Sequence, residues 1–140
     1  MDTLFNDLSQ LYPAVVCDIL DEAGLRQQAL PAEIRPLTPT KKLFGRAFTV
    51  HATTVDSIPE EPYQLEIEAI DALAAGEIMV TDLENYTACG FWGELMATAC
   101  LHKGVNGALF NGCTRDVWKL KNLNFPVFGL GYHPADSKGR

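Results

Sequence analysis

Apolar positions recur along this chain in two rhythms, one helical and one alternating. In LYPAVVCDILDEAGL, residues 11–25, Val15, Val16, Ile19 and Leu20 fall at helical spacing. Pro13 suits a first helical turn and Gly24 a C-terminal cap, so the stretch predicts a short amphipathic helix. GRAFTVHATTV, residues 45–55, sets Phe48, Val50 and Ala52 against Thr49, His51 and Thr53, which predicts a strand. Between them ALPAEIRPLTPTKK, residues 29–42, carries Pro31, Pro36 and Pro39 and reads as a rigid loop.

The alternation of periods continues downstream. DSIPEEPY ends the strand pattern, YQLEIEAIDALAAG spaces Leu65, Ile67, Ile70 and Leu73 as a helix before Gly76, and EIMVTD is a short buried strand. LENYTACGF reads as a polar loop, WGELMATACLHKG as a helix closing at Gly104, and GALF as a second buried strand. TRDVWKLKNLN is helical in composition, and FPVFGLG gives one more strand before the polar tail HPADSKGR. The order β-loop-α-β-loop-α-β predicts an α/β fold with helices packed on a sheet. At 140 residues the chain fits one domain over 1–140 with a substantial core.

Composition narrows the function classes. Apolar residues at 47% and charged residues at 21% are ordinary for a folded globular chain. With 11 Lys+Arg against 18 Asp+Glu, the formal net charge of -7 disfavours a phosphate backbone, so no direct nucleic-acid partner is expected. Cys17, Cys89, Cys100 and Cys113 lack close pairing and read as reduced thiols, and CxxC or HxxxH zinc spacing is absent. The apolar runs are shorter than a membrane span and the acidic start MDTLFNDLSQ is unlike a signal peptide, so a cytoplasmic location and no membrane partner are expected.

Two stretches offer chemistry. A helix beginning at Gly93-Glu94-Leu95 presents unpaired N–H groups and a positive dipole end, suited to a carboxylate or phosphate, and Gly93 permits close approach. The structural alternative is a plain glycine at a helix start. In FNGCTRDV, Arg115 can clamp a carboxylate or an enolate oxygen, while Asp116 with waters can hold Mg²⁺. Adjacent helical positions do not face each other, so these two are expected to serve different partners; the alternative is a solvated pair favourable to the helix dipole. His51, His102 and His133 read as structural or surface groups, Trp92 and Trp118 as core or interface volume, and Glu60, Glu61, Glu66 and Glu68 as a solvated acidic face.

GELMATACLHKGVNGALFNGCTRDV followed by FPVFGLG resembles the family that joins 4-hydroxy-4-methyl-2-oxoglutarate (HMG) aldolases to RraA-like regulators of ribonuclease activity. Its pattern runs roughly G-[ED]-L-x-A-x-A, K-G-x-x-G, G-x-x-R-D and P-V-F, and FGRAFTV and AGEIMVTD are similar to its earlier strands. The likeness covers roughly residues 13 to 140. It implies a layered β/β/α sandwich with a mixed sheet, like a swivelling domain, assembled as a homotrimer or hexamer.

The resemblance also implies a class II lyase, dependent on Mg²⁺, Mn²⁺ or another divalent metal. Such an enzyme cleaves HMG by retro-aldol chemistry or decarboxylates oxaloacetate. Carried over by position, Asp116 is the direct metal ligand, Glu94 acts on the metal through water, and Arg115 contacts the keto or enolate oxygen. The backbone of Gly93, Glu94, Leu95 and Met96 receives the pyruvyl carboxylate. Two departures accompany this: Asn111 stands where many aldolase-like members have Asp, and members run well beyond DSKGR, so the C-terminal part of the family fold is expected to be absent. The competing reading is a non-catalytic regulator that binds a ribonuclease or helicase. A methyl-donor or nucleotide enzyme has only the α/β alternation behind it, without GxGxxG or a P-loop.

Overall fold

The computed structural model describes residues 3–39 and 42–140. Along the chain two compact units divide between Ala32 and Glu33. The first holds α1 (Thr3–Leu8) and α2 (Pro13–Glu22). Helix α2 starts at Pro13 as expected, and the chain turns out of it at Gly24, whose φ of 80° is a conformation open to glycine. None of its residues is buried, and Ile19 stays 54% exposed.

The second unit carries the sheets. β1 (Arg35–Pro36), β2 (Arg46–His51), β3 (Glu77–Asp82), β5 (Gly107–Phe110) and β7 (Val127–Gly129) form a five-stranded sheet in the order β1-β7-β5-β3-β2. All pairings in it are parallel except β1 with β7, so the sheet is mixed. β4 (Gly90–Trp92), β6 (Cys113–Thr114) and β8 (Gly131–Tyr132) form a second, all-parallel sheet. The helices are α3 (Gln64–Ala72), α4 (Glu94–His102) and α5 (Val117–Asn122).

The periodicities explain these elements. Along β2, Phe48 and Val50 turn toward the core while Thr49 and His51 face outward. β3 lies between β5 and β2 and buries Ile78, Met79 and Thr81, as an apolar strand covered on both faces does. The two sheets are joined by aromatic packing. Trp92 of β4, fully buried, stacks on Phe110 of β5 with ring centroids 6.1 Å apart and on Phe125 at 6.0 Å. Ala97 and Cys100 bring α4 onto the same core.

Two local expectations are corrected. The proline-rich stretch is not all loop, because Arg35 and Pro36 pair with Gly129 and Phe128 as an edge strand, a position that tolerates a residue without an N–H. Thr38 secures this edge, donating to the Phe125 carbonyl at 2.8 Å and accepting from the Val127 amide at 3.0 Å; Thr40 and Lys41 lie outside the described residues. Gly90 and Phe91, read as loop, belong to β4, where aromatic burial outweighs the weak strand signal of a three-residue segment. On α3 only Ile70 is buried, and Leu65 and Ile67 are 78% and 57% exposed, since a single short helix face meets the core. Of the two tryptophans expected in core or interface volume, Trp92 fills the core and Trp118 is 67% exposed, with the Lys119 ammonium 4.8 Å from its ring centroid.

Candidate active site

The small parallel sheet places the chemistry. Trp92 lies opposite Thr114, and Thr114 opposite Tyr132. Parallel strands release their chains at a common edge, so the residues that follow each strand emerge side by side. These are Gly93-Glu94, Arg115-Asp116 and the segment His133–Ser137. The Trp92 carbonyl ties two of the strands together, accepting from the Arg115 amide and from the Thr114 hydroxyl, each at 2.8 Å.

Asp116 precedes α5 in the left-handed region, with φ 54° and ψ 32°, a conformation that Asp tolerates better than most residues. This turn points its carboxylate back at the start of α4, where Oδ2 accepts from the Glu94 amide at 3.1 Å. Gly93 makes the approach possible by lack of bulk. A Cβ there would lie 2.8 Å from Asp116 Oδ2. The backbone of Gly93 is extended, so space and not conformational freedom is what glycine supplies.

Arg115 spans two carboxylates. Its Nε is 3.5 Å from Asp116 Oδ2 and its Nη1 2.7 Å from Asp136 Oδ1. The sequence reading sent Arg115 and Asp116 to different partners, on the grounds that helical neighbours diverge. They do pair, because both precede the helix and the left-handed turn at Asp116 folds the two side chains together. Tyr63, just before α3, donates to the second oxygen of Asp136. That hydrogen bond, followed by the Arg115 charge and the amides of Ser137 and Lys138, holds the Asp136 carboxyl below its ordinary range against a burial penalty. The same contact pushes the Tyr63 phenol up.

These groups open on a cavity of about 500 Å³ whose walls are mostly apolar, with Ile67, Ile70, Phe91, Met96 and Ala99 among them. Gly93, Leu95, Met96, Arg115 and Asp116 all line it. Glu94 contributes its amide to the turn, while its carboxylate points to Lys119 Nζ at 3.4 Å and does not line the cavity. Leu95 and Met96 offer the next first-turn amides, which have no acceptor within the helix.

Tyr63, Glu66, Asp136 and Ser137 also line the cavity, and the sequence reading missed them. Glu66, expected on a solvated acidic face, is half-buried, and the Ser137 hydroxyl donates to its Oε1 at 3.4 Å. Burial first, then the charge of Asp136, pushes its carboxyl up, opposed by the Ser137 hydroxyl. The one available signal was HPADSKGR, a polar segment set directly after the last strand, where a parallel sheet brings its exits together.

The remaining candidates lie elsewhere. Asn111 caps the loop after β3, accepting from the Leu83 amide and donating to Asp82 Oδ1 at 2.8 Å, which lowers the Asp82 carboxyl. A carboxylate at 111 would repel Asp82, so Asn suits this contact. His51 pairs with Glu84 at 3.3 Å on the surface. The four cysteines are free; burial pushes Cys89 and Cys113 up and Cys100 to about 11, so these three are poor nucleophiles. Among the described residues no three His, Cys, Asp or Glu side chains gather as a metal cage, and no helix is long and apolar enough to cross a membrane.

Comparison with known proteins places the chain. It is 29% identical over 146 residues to Protein DlpA of Legionella pneumophila, an alignment covering 99% of this chain and 23% of that protein. It is 28% identical over 123 residues to the "Putative 4-hydroxy-4-methyl-2-oxoglutarate aldolase" of Halalkalibacterium halodurans, covering 88% of this chain and 54% of the relative. The chain thus spans about half or less of the length of these curated relatives. The crystal structure of Streptomyces coelicolor RraAS2, described as an unusual member of the RNase ES inhibitor RraA protein family, superposes with a TM-score of 0.80 at 23% identity. That match covers 96% of this chain and 67% of RraAS2, and it shows a shared fold, the mixed α/β architecture expected from the sequence. The RraA-like family description, Aldolase/RraA, matches residues 13–140. A mixed-sheet fold with Arg115-Asp116 beside the start of α4, matched by that description over nearly its whole length, is that of a member of the RraA-like family.

Proposed function

We propose that this protein is a divalent-metal-dependent lyase that cleaves or decarboxylates small pyruvate-derived 2-oxo acids such as HMG or oxaloacetate. One observation carries the reading: Arg115, Asp116 and the first-turn amides of α4 converge on one apolar-walled cavity. A guanidinium and helix-start amides suit the two oxygens of a 2-oxo acid, and a neighbouring carboxylate suits a cation.

The donor set fits a hard, water-rich ion. Mg²⁺ is commonly held by one or two carboxylates with several waters and the substrate, and Asp116, engaged with the Glu94 amide through Oδ2, is such a carboxylate. Asp116 would hold the ion directly, with Glu94 able to act only through water from its place beside Lys119. When bound, the ion supplies Lewis-acid stabilisation of the charge that develops on the 2-oxo oxygen.

The chain's own groups do the rest. The amides of Leu95 and Met96, at the positive end of α4, receive the substrate carboxylate. Arg115 donates to the 2-oxo oxygen as it gains enolate character, and Asp136 and Asp116 keep the guanidinium in place. The walls around Phe91, Ile70 and Met96 exclude water and strengthen these interactions. Pyruvate release from oxaloacetate and from HMG, followed by a coupled assay with and without Mg²⁺, tests the reading. Metal-dependent turnover is expected. Its absence for both substrates overturns the proposal, and capture of a ribonuclease or helicase by the same protein would then favour a regulator.

A further inference from the structure

Cleavage of a 2-oxo acid by this route leaves an enolate whose C3 must gain a proton, and the residues assigned so far are unsuited to give one. Arg115 is permanently charged. Asp136 is an anion committed to Arg115 and Tyr63, and Tyr63 spends its proton on that carboxylate. Asp116 is engaged by the Glu94 amide and the Arg115 guanidinium and is assigned to the metal.

Two further ionisable groups line this cavity, Asp71, which is exposed, and Glu66, which is half-buried. Glu66 projects from α3 into the space lined by Arg115, Asp116 and Asp136. Among the described residues it has no ion-pair partner, and one hydrogen bond reaches its carboxylate, from Ser137 to Oε1, with none at Oε2. Ser137 follows Asp136, so the contact fixes Glu66 beside the carboxylate that holds Arg115. The ionisable groups around it are Tyr63, Asp71, Arg115, Asp116 and Asp136 of the same lining, with Cys89 also within electrostatic reach.

We infer that Glu66 is the proton donor of this site. The inference rests on the lyase reading given above. In the step, the O–H bond of the Glu66 carboxyl breaks, the enolate π pair forms the new C–H bond at C3, and the C2 oxygen returns to a carbonyl. Glu66 is left as a carboxylate and takes its next proton from solvent, which in the retro-aldol direction receives the proton of the cleaved C4 hydroxyl. Charges and atoms balance without an oxidant or a further reactant. Burial and the neighbouring Asp136 favour the protonated form that the step requires.

Exchange of the pyruvate methyl protons into D₂O, followed by NMR with Mg²⁺ on the full chain, isolates this step from C–C cleavage. The native protein is expected to exchange them, E66Q to do so about a hundredfold more slowly or worse, and E66D to recover part of the rate. E66Q is expected to melt no lower than the native chain, which separates lost chemistry from lost folding. Exchange by E66Q at the native rate overturns the role of Glu66 while leaving the lyase reading standing. Absence of Mg²⁺-dependent exchange and of cleavage in the native protein overturns both.

Discussion

Gly93→Ala tests how closely the site is built. The added Cβ would stand 2.8 Å from Asp116 Oδ2 and 3.4 Å from Arg115 Cγ. An unstrained contact is roughly 3.4 Å, so the carboxylate must retreat by about half an ångström. The Glu94 N–H···Oδ2 hydrogen bond, now 3.1 Å, would lengthen to about 3.6 Å and cease to be one. Losing a charge-assisted bond costs about 1.5–3 kcal/mol. Because the Gly93 backbone is extended, alanine enters without strain and returns about 0.4–1 kcal/mol through the unfolded chain. The expected net loss is about 1–2 kcal/mol, read as a fall of several degrees in thermal melting.

Activity should suffer more than stability. If Asp116 holds the metal and orients Arg115, a half-ångström displacement is expected to lower kcat/KM about 10- to 100-fold. The decisive measurement is a double-mutant cycle on melting and on pyruvate release. In an Asp116→Ala background the carboxylate that collides is gone, so G93A should then cost little, leaving a coupling of about 1 kcal/mol or more. Equal effects of G93A with and without Asp116 would refute the packing argument, whatever the size of either.

Asp116→Asn keeps an acceptor for the Glu94 amide and a residue that tolerates the left-handed turn, so it should cost about 1 kcal/mol or less in stability yet lower metal-dependent turnover about a hundredfold; parallel melts and kinetics check this. Arg115→Lys cannot span Asp116 and Asp136 with a planar fork, and turnover is expected to fall about a hundredfold with no recovery at higher substrate. For Glu66 the folded carboxyl lies above its unfolded value of 4.5, so the folded state binds the extra proton and stability declines as pH rises from 4.5 through the folded value. Denaturant melts should therefore show E66Q gaining on the native chain across that window and matching its pH slope below it. Asp136 has the opposite sign: its carboxyl is lowered below 3.8, so its stabilisation is present above that value and lost as pH falls through the folded one, and D136N should flatten the acid limb of the melt.

How far the sequence could be read depended on the length of each signal. β2, β3, β5 and α4 were legible because four to nine residues of consistent pattern each face a core. β4, β6 and β8 were not, since strands of two or three residues hold no period and are fixed by partners across the sheet. The site followed the same rule. Gly93, Arg115 and Asp116 stood out through residue type, whereas Tyr63 and Asp136, 73 positions apart, are joined by a tertiary hydrogen bond that has no local signature. Glu66 looked like one of several glutamates on a helix, and only the packing of the Ser137 segment separates it from Glu68. The pairing of Arg115 with Asp116 was misjudged because the sequence shows that a helix follows and conceals that the turn before it is left-handed.

The charge of the assembled site bears on the order in which it fills. Leaving aside Glu66 and the exposed Asp71, one guanidinium faces two carboxylates, Asp116 and Asp136, and the Glu94–Lys119 pair is neutral, so the sum is one negative charge. A 2-oxo acid brings another negative charge, and in an apolar-walled cavity like charges repel more strongly than in water. The first-turn amides of α4 attract its carboxylate but carry only about half a unit of positive charge. A divalent cation beside Asp116 changes the sum to one positive charge, after which the carboxylate enters an attractive field. Under the lyase reading, 2-oxo acid binding must then depend on the metal even where no bond is broken, and removal of the Asp136 charge in D136N should weaken that dependence. Equal pyruvate affinity with and without Mg²⁺ in the native chain would mean that the amides and Arg115 suffice, and that the carboxylates around Arg115 serve to orient it and not to set the charge of the site.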